Sequence, residues 1–206
     1  MDAPETPQIY LITPAAFDPD TFADQLARVL DGAAIACIRL ALAGQDEARI
    51  ARAADSCREV AHARDVAVVI SDHVLLAERH GLDGVHLSDA ARSVRAARKT
   101  FGPDAIVGSH CGASRHDGMT AGEAGADYVS FGPVGASTLG DGTRADAELF
   151  QWWSEMIEVP VVAEGGLTPD LVRSLAPHTD FFGIGDEIWS EEDPLAALRR
   201  LTDAMA

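Results

Sequence analysis

A short phrase recurs along this chain and limits what it can fold into. In Gly81-Leu82-Asp83-Gly84-Val85-His86-Leu87, in Gly125-Ala126-Asp127-Tyr128-Val129-Ser130-Phe131 and in Thr179-Asp180-Phe181-Phe182-Gly183-Ile184, an Asp stands just before a compact apolar run. In the middle copy the pattern reads as a helix stopping at Gly125, a buried strand, and a break at Gly132-Pro133. Each interval between copies fits two successive helix-plus-strand units of roughly 20 to 30 residues. The repeated object is therefore a pair of βα units.

Eight apolar runs qualify as strands: 9–12, 34–40, 67–70, 84–87, 105–108, 128–131, 159–163 and 181–184. Helical stretches separate them. Asp18 or Asp20 can cap the first, which carries Phe22, Leu26, Val29 and Leu30 at the spacing of one buried face. The others fall at 47–63, 73–80, 93–101, 117–123, 149–156, 169–175 and 194–205, with Thr168 placed to cap the seventh and Gly81 to stop the third. Gly118 and Gly122 inside the fifth imply close packing there. Strict alternation of strand and helix predicts an α/β fold, a closed (β/α)₈ TIM barrel over 1–206 as one domain. An open doubly wound sheet would want a glycine fingerprint after the first strand, and Thr13-Pro14-Ala15-Ala16 has none.

With 206 residues and 47% apolar composition, the chain can bury one sizeable core. No apolar run approaches the ~20 residues of a membrane helix. The start, MDAPETPQ, is acidic and polar, unlike a secretory leader, so the expected location is the cytoplasm. Thirty-three acidic against 16 basic residues give a formal charge of −17, which disfavours nucleic acid and anionic membranes as partners. Cys37, Cys57 and Cys111 lack paired spacing and read as free thiols.

A parallel barrel keeps its chemistry at the C-terminal ends of its strands. Arg39 lies at such an end, facing the mouth or a surface ion pair. Asp72 and Asp89 end neighbouring strands, where their carboxylates can share Mg²⁺, although either can instead cap a helix. Both Asp72 and Arg39 are expected to open onto one cavity. His86 and His110 are acid–base candidates or hydrogen-bonded core residues. Gly165-Gly166 and Gly183-x-Gly185 occupy the loops after strands seven and eight, where backbone N–H groups commonly hold phosphate. The polar stretch 135–144 is a candidate lid. Trp152 and Trp153 cannot both face inward on one helix, which makes a homodimer contact plausible.

The phrases IYLIT (9–13), IRL (38–40), VVISDHVLLA (68–77), LDGVHL (82–87), AGADYVSFGPV (124–134) and VPVVAEGGL (159–167) resemble the thiamine phosphate synthase family, with its thiazole tautomerase relatives, along nearly the whole chain. The resemblance implies a (β/α)₈ barrel that joins an aminopyrimidine methyl diphosphate to a thiazole phosphate with Mg²⁺ and releases pyrophosphate. It assigns Arg39 to the diphosphate and to catalysis, and Asp72, with Asp89 as a displaced second ligand, to the metal. Ser71, Ser137, Thr138, Gly165, Gly166, Gly183 and Gly185 become substrate and phosphate contacts, and His110 the proton-transfer candidate. Several family positions differ. The Gln-x-Arg-x-Lys pattern stands here as Cys37, Arg39 and Ala41, and Asn-Asp as Ser71-Asp72. The expected Asp after His86 is Ala91, and the Thr-x-Thr-Lys loop is Ala136-Ser137-Thr138-Leu139-Gly140. Glu164 replaces an Ile, and Asp186 adds charge beside the expected phosphate. Weakened synthase activity is the expectation; a thiazole tautomerase or a non-catalytic thiazole-phosphate-binding barrel are the alternatives.

Overall fold

The computed structural model describes residues 6–44 and 46–205, so the acidic start of the chain lies largely outside the described residues. Eight parallel strands close into a barrel in sequence order, with β1 (Gln8–Ile12) pairing both β2 (Cys37–Leu40) and β8 (Phe181–Ile184). Between them stand β3 (Ala67–Ser71), β4 (Gly84–Leu87), β5 (Ile106–His110), β6 (Tyr128–Phe131) and β7 (Val161–Glu164). The helices are α1 (Pro19–Gly32), α2 (Glu47–His62), α3 (Val74–Arg79), α4 (Val94–Phe101), α5 (Arg115–Glu123), α6 (Ala147–Met156), α7 (Pro169–Leu175), α8 (Asp186–Trp189) and α9 (Pro194–Thr202). A short 3₁₀ turn, Ala176–His178, follows α7.

The repeated Asp has a structural task. Asp83 accepts from the Val68 N–H at 2.7 Å, Asp127 from Val107 at 2.7 Å, and Asp180 from Val161 at 2.8 Å. Each carboxylate thus binds the N–H near the start of the preceding strand and ties β3 to β4, β5 to β6 and β7 to β8. A strand start buried at the bottom of a barrel would otherwise leave a donor without water. The two-unit period of the sequence is the period of these ties.

Helix starts follow their caps. Asp18, Asp46, Ser114, Asp146, Thr168 and Asp193 each accept an N–H of the first turn. Ser114 caps α5, its hydroxyl accepting the Asp117 N–H at 3.1 Å. A Cβ added at Gly118 would come within 2.7 Å of the Phe131 and Trp153 rings, which accounts for a glycine inside that helix. Trp153 is buried, and Trp152 is half-buried with the Arg115 guanidinium 4.8 Å from its ring centroid. The ring that suggested a homodimer is therefore largely covered within this chain.

Two boundaries differ from the sequence reading in a way that matters. Strand β5 runs on to His110 and β7 to Glu164, so these polar residues are strand residues and not loop residues. Helix α8 was not anticipated; four residues carry no helical periodicity to detect. The main core lies between strands and helices, around Leu11, Ile38, Ile70, Phe131 and Phe182. Inside the barrel, Tyr10, Cys37, Val69, Tyr128 and Val162 form a smaller apolar plug. All three cysteines are buried and free, and burial pushes each thiol up to about 12. Among the described residues, no helix is long and apolar enough to cross a membrane.

Candidate active site

Side chains alternate across a strand, so the residue two past each plug position again points inward. That next layer is mostly polar: Arg39 follows Cys37, Ser130 follows Tyr128 and Glu164 follows Val162, with Ile12 after Tyr10 as an apolar member. Arg39 forks onto Glu164, with Nη1 donating to Oε1 at 3.2 Å and Nη2 to Oε2 at 2.6 Å. The two are only 7% and 2% exposed. Room for the carboxylate comes from Gly183, where a Cβ would stand 2.8 Å from that of Glu164. Ser130 donates to Glu164 Oε1 at 2.5 Å, and His110 Nδ1 lies 3.0 Å from Ser130 Oγ and 3.2 Å from the same carboxylate oxygen.

On the other side, Arg39 Nη1 donates to His86 Nε2 at 2.7 Å. A guanidinium cannot accept, so Nε2 carries the lone pair and Nδ1 the proton, which it donates to Tyr128 Oη at 2.9 Å. Tyr128 and Tyr10 hydroxyls meet at 2.5 Å. Burial, reinforced by Arg39, pushes His86 well below the ordinary imidazole value, consistent with this neutral tautomer. Burial raises both phenols. For Glu164, burial pushes the carboxyl up, but the Arg39 charge with the His110 and Arg39 hydrogen bonds outweighs it and holds the group well below the carboxylate range. Burial likewise works against the Arg39 cation, and the Glu164 charge overcomes it.

Two cavities open above this layer. The first, about 700 Å³, is bounded by Arg39 and Glu164 below and by Ser137, Thr138, Gly165, Gly166, Gly183 and Gly185 around it. The second, about 760 Å³, is lined by Asp89, Arg92, His110, Ser114 and Asp117. Gly140 of the 135–144 loop borders both, so the loop forms their shared partition.

The predicted residues divide between these places. Arg39, expected to contact a diphosphate, lines the first cavity and is paired with Glu164. Asp72 does not share its cavity, contrary to the sequence expectation: its two oxygens accept from the Ser88 N–H and hydroxyl, each at 2.8 Å. Neither Ser71 nor Asp72 lines either cavity. Gly183 is a strand residue paired with Glu164 and Tyr10. Glu187, overlooked in the sequence, lines the first cavity and holds three backbone N–H groups of the glycine loops.

A metal site can be tested on its donors. Among the described residues, no three His, Cys, Asp or Glu side chains form a ready-made cage. Asp89, however, turns Oδ2 to the Ser93 hydroxyl at 2.5 Å and leaves Oδ1 buried without a partner. Mg²⁺ often takes one or two carboxylates and completes its shell with water and substrate phosphate. The orphaned oxygen fits that arrangement. The adjacent Ala90 has φ 56 and Asp72 has φ 60, left-handed values that non-glycine residues keep only where their surroundings enforce them.

Fold and mouth together define a (β/α)₈ barrel of the kind whose reactions occur at the C-terminal end of the strands. Solved barrels superpose closely: a thiamine phosphate pyrophosphorylase from Pyrococcus furiosus gives a TM-score of 0.81 at 24% identity, covering 96% of this chain and 95% of that one. A 3-hexulose-6-phosphate synthase gives 0.70 at 18% identity, covering 97% and 100%. Residues 9–182 match the thiamine monophosphate synthase family. A thiamine-phosphate synthase of Rhodospirillum centenum is 45% identical over 196 residues, covering 93% of this chain and 94% of the relative. Another, of Erythrobacter litoralis, is 38% identical over 205 residues, covering 97% and 95%. The chain belongs to the thiamine monophosphate synthase family.

Proposed function

We propose that this chain works as a thiamine-phosphate synthase, a transferase that joins an aminopyrimidine methyl diphosphate to a thiazole phosphate and releases pyrophosphate. The observation that carries this reading, beyond family membership, is the pair of adjoining cavities that meet at Gly140. Each is of a size that takes one small substrate. In this reading the thiazole phosphate occupies the first, its phosphate toward the β7 and β8 loops, and the diphosphate occupies the second, near Arg92 and Asp89.

As the bond to the diphosphate breaks, negative charge collects on the leaving oxygens, and catalysis depends on donors already aimed there. Asp89, with Asp72 if it exchanges its Ser88 contacts, would hold Mg²⁺, which when bound would supply positive charge at that place. Ser137 and Thr138 offer hydroxyl donors from the partition loop. Arg39 acts through Glu164, as a positioning residue that sets the carboxylate against Ser130 and His110. Loop 135–144 excludes water from the junction of the two substrates.

The lysines of the family's full motif set are missing, and one such contact is commonly worth about 3 kcal/mol, or ~10²-fold in rate. Turnover below that of a full-motif enzyme follows. A second reading, proton transfer on a thiazole phosphate, draws support from His110: Nδ1 is anchored by Ser130 and Glu164, which leaves Nε2 for the second cavity. A coupling assay with both precursors and Mg²⁺, run beside a tautomerase assay, separates the readings. Thiazole rearrangement without thiamine phosphate formation would remove the first.

A further inference from the structure

The glycine loops after β7 and β8 present backbone N–H groups toward the first cavity, and this chain satisfies them with its own side chain. Glu187 Oε1 accepts from Gly166 at 3.0 Å and Leu167 at 3.1 Å, while Oε2 accepts from Gly185 at 2.8 Å. Both carboxylate oxygens are thus engaged, by donors from two separate loops. Hydrogen bonds to an ionised acceptor are the stronger kind. Asp186 stands beside Glu187, and Glu164 lies on the cavity floor; against these three carboxylates the lining sets one cation, Arg39, already paired with Glu164.

We infer that Glu187 is an internal competitor for the substrate's phosphate group: a carboxylate seated on the phosphate's donors in the free protein, which a phosphate monoester must displace to bind. The inference rests on the thiazole-phosphate reading of the first cavity. The chemistry of the two anions makes the exchange natural, since carboxylate and phosphate oxygens accept the same N–H groups. Glu187 is half-buried and sits in the second position of a four-residue helix, so its side chain swings out without unpacking the core residue Ile188. The displaced carboxylate then adds repulsion beside Asp186, so Glu187 sets how strongly the site favours a phosphorylated over an unphosphorylated thiazole.

The test is calorimetric titration of the full chain, of Glu187→Ala and of Glu187→Gln with thiazole phosphate and with the same thiazole lacking phosphate, alongside the coupling assay. Glu187→Ala is expected to bind the phosphorylated thiazole about tenfold tighter or more, a change of about 1.4 kcal/mol, with the unphosphorylated form unchanged. Glu187→Gln, which sheds the charge yet keeps one acceptor oxygen and the fold, is expected to show a smaller gain in the same direction. Unchanged or weaker binding of thiazole phosphate in both variants overturns the inference and makes Glu187 a structural strut. Tighter phosphate binding with no coupling in any of the three proteins leaves the inference standing and removes the synthase reading. Failure of every protein to bind either thiazole removes both.

Discussion

The two halves of the barrel mouth treat their polar groups in opposite ways. Around the first cavity the protein is largely its own ligand: Glu187 takes the glycine-loop donors and Glu164 takes the two terminal nitrogens of Arg39, whose buried Nε alone lacks a partner. Around the second, partners are missing: Asp89 Oδ1 is buried and unpaired, and His110 uses only Nδ1. A self-satisfied surface is stable as it stands and must be opened before a charged ligand enters. An unsatisfied one carries its desolvation cost until something arrives. In the proposed reading, the β7–β8 side sets stability and selectivity for the thiazole phosphate, and the β4–β5 side recruits the metal and diphosphate.

The largest expected effect breaks the first half. Glu164→Ala strands the Arg39 cation inside the barrel, and loss of one partner of a buried pair costs about 3 to 5 kcal/mol, measurable by urea denaturation. The same pair predicts an acid limb. Glu164 titrates below its ordinary 4.5 when folded, so below 4.5 the unfolded chain binds the proton more readily. Its stabilisation is complete above that value and is lost as pH falls toward the folded value. His86, depressed from 6.5, acts in the same direction from a higher starting pH. Glu164→Gln should flatten the lower part of this limb and leave the His86 part; an unchanged acid limb would show that the pair does not control it.

A smaller effect is expected at Gly166, whose φ of 73 and whose added Cβ, 2.5 Å from the Ala136 carbonyl oxygen, both oppose a side chain. Gly166→Ala should lose about 1 to 3 kcal/mol and weaken binding of thiazole phosphate, read by thermal melting and titration. Intact stability and binding would mean the two loops are not locked together. The smallest structural effect belongs to the second half. Asp89→Asn leaves the Ser93 contact an acceptor and should shift stability by no more than about 0.5 kcal/mol, while raising the Mg²⁺ concentration for half-maximal coupling about tenfold. If the variant needs no more Mg²⁺ than the parent, the unpaired oxygen is not a metal ligand.

Much of this was readable before any coordinates. The eight strands follow from apolar runs set off by Gly, Pro and Asp, because a strand covered on both faces has little choice but continuous apolarity. The glycine loops and the Asp89 corner followed from their places at strand ends. Boundaries were harder where a polar residue continues a strand inward, as His110 and Glu164 do. Local pattern treats such a residue as the start of a loop, since only the opposite strands reveal what neutralises it.

The sequence by itself determined the barrel, its family, and which loops surround its mouth, since these depend on patterns repeated every few residues or on short phrases. Tertiary structure alone decided the electrostatics of the mouth. Arg39 and Glu164 stand on β2 and β7, and only barrel closure brings their charges to 2.6 Å, giving the cation at the mouth an internal partner. Likewise, the reach of Glu187 back to Gly166 and Leu167 depends on two loops meeting across the β7–β8 seam. Charge interactions fall with distance in space, and distance in space between remote residues is what a linear sequence does not carry.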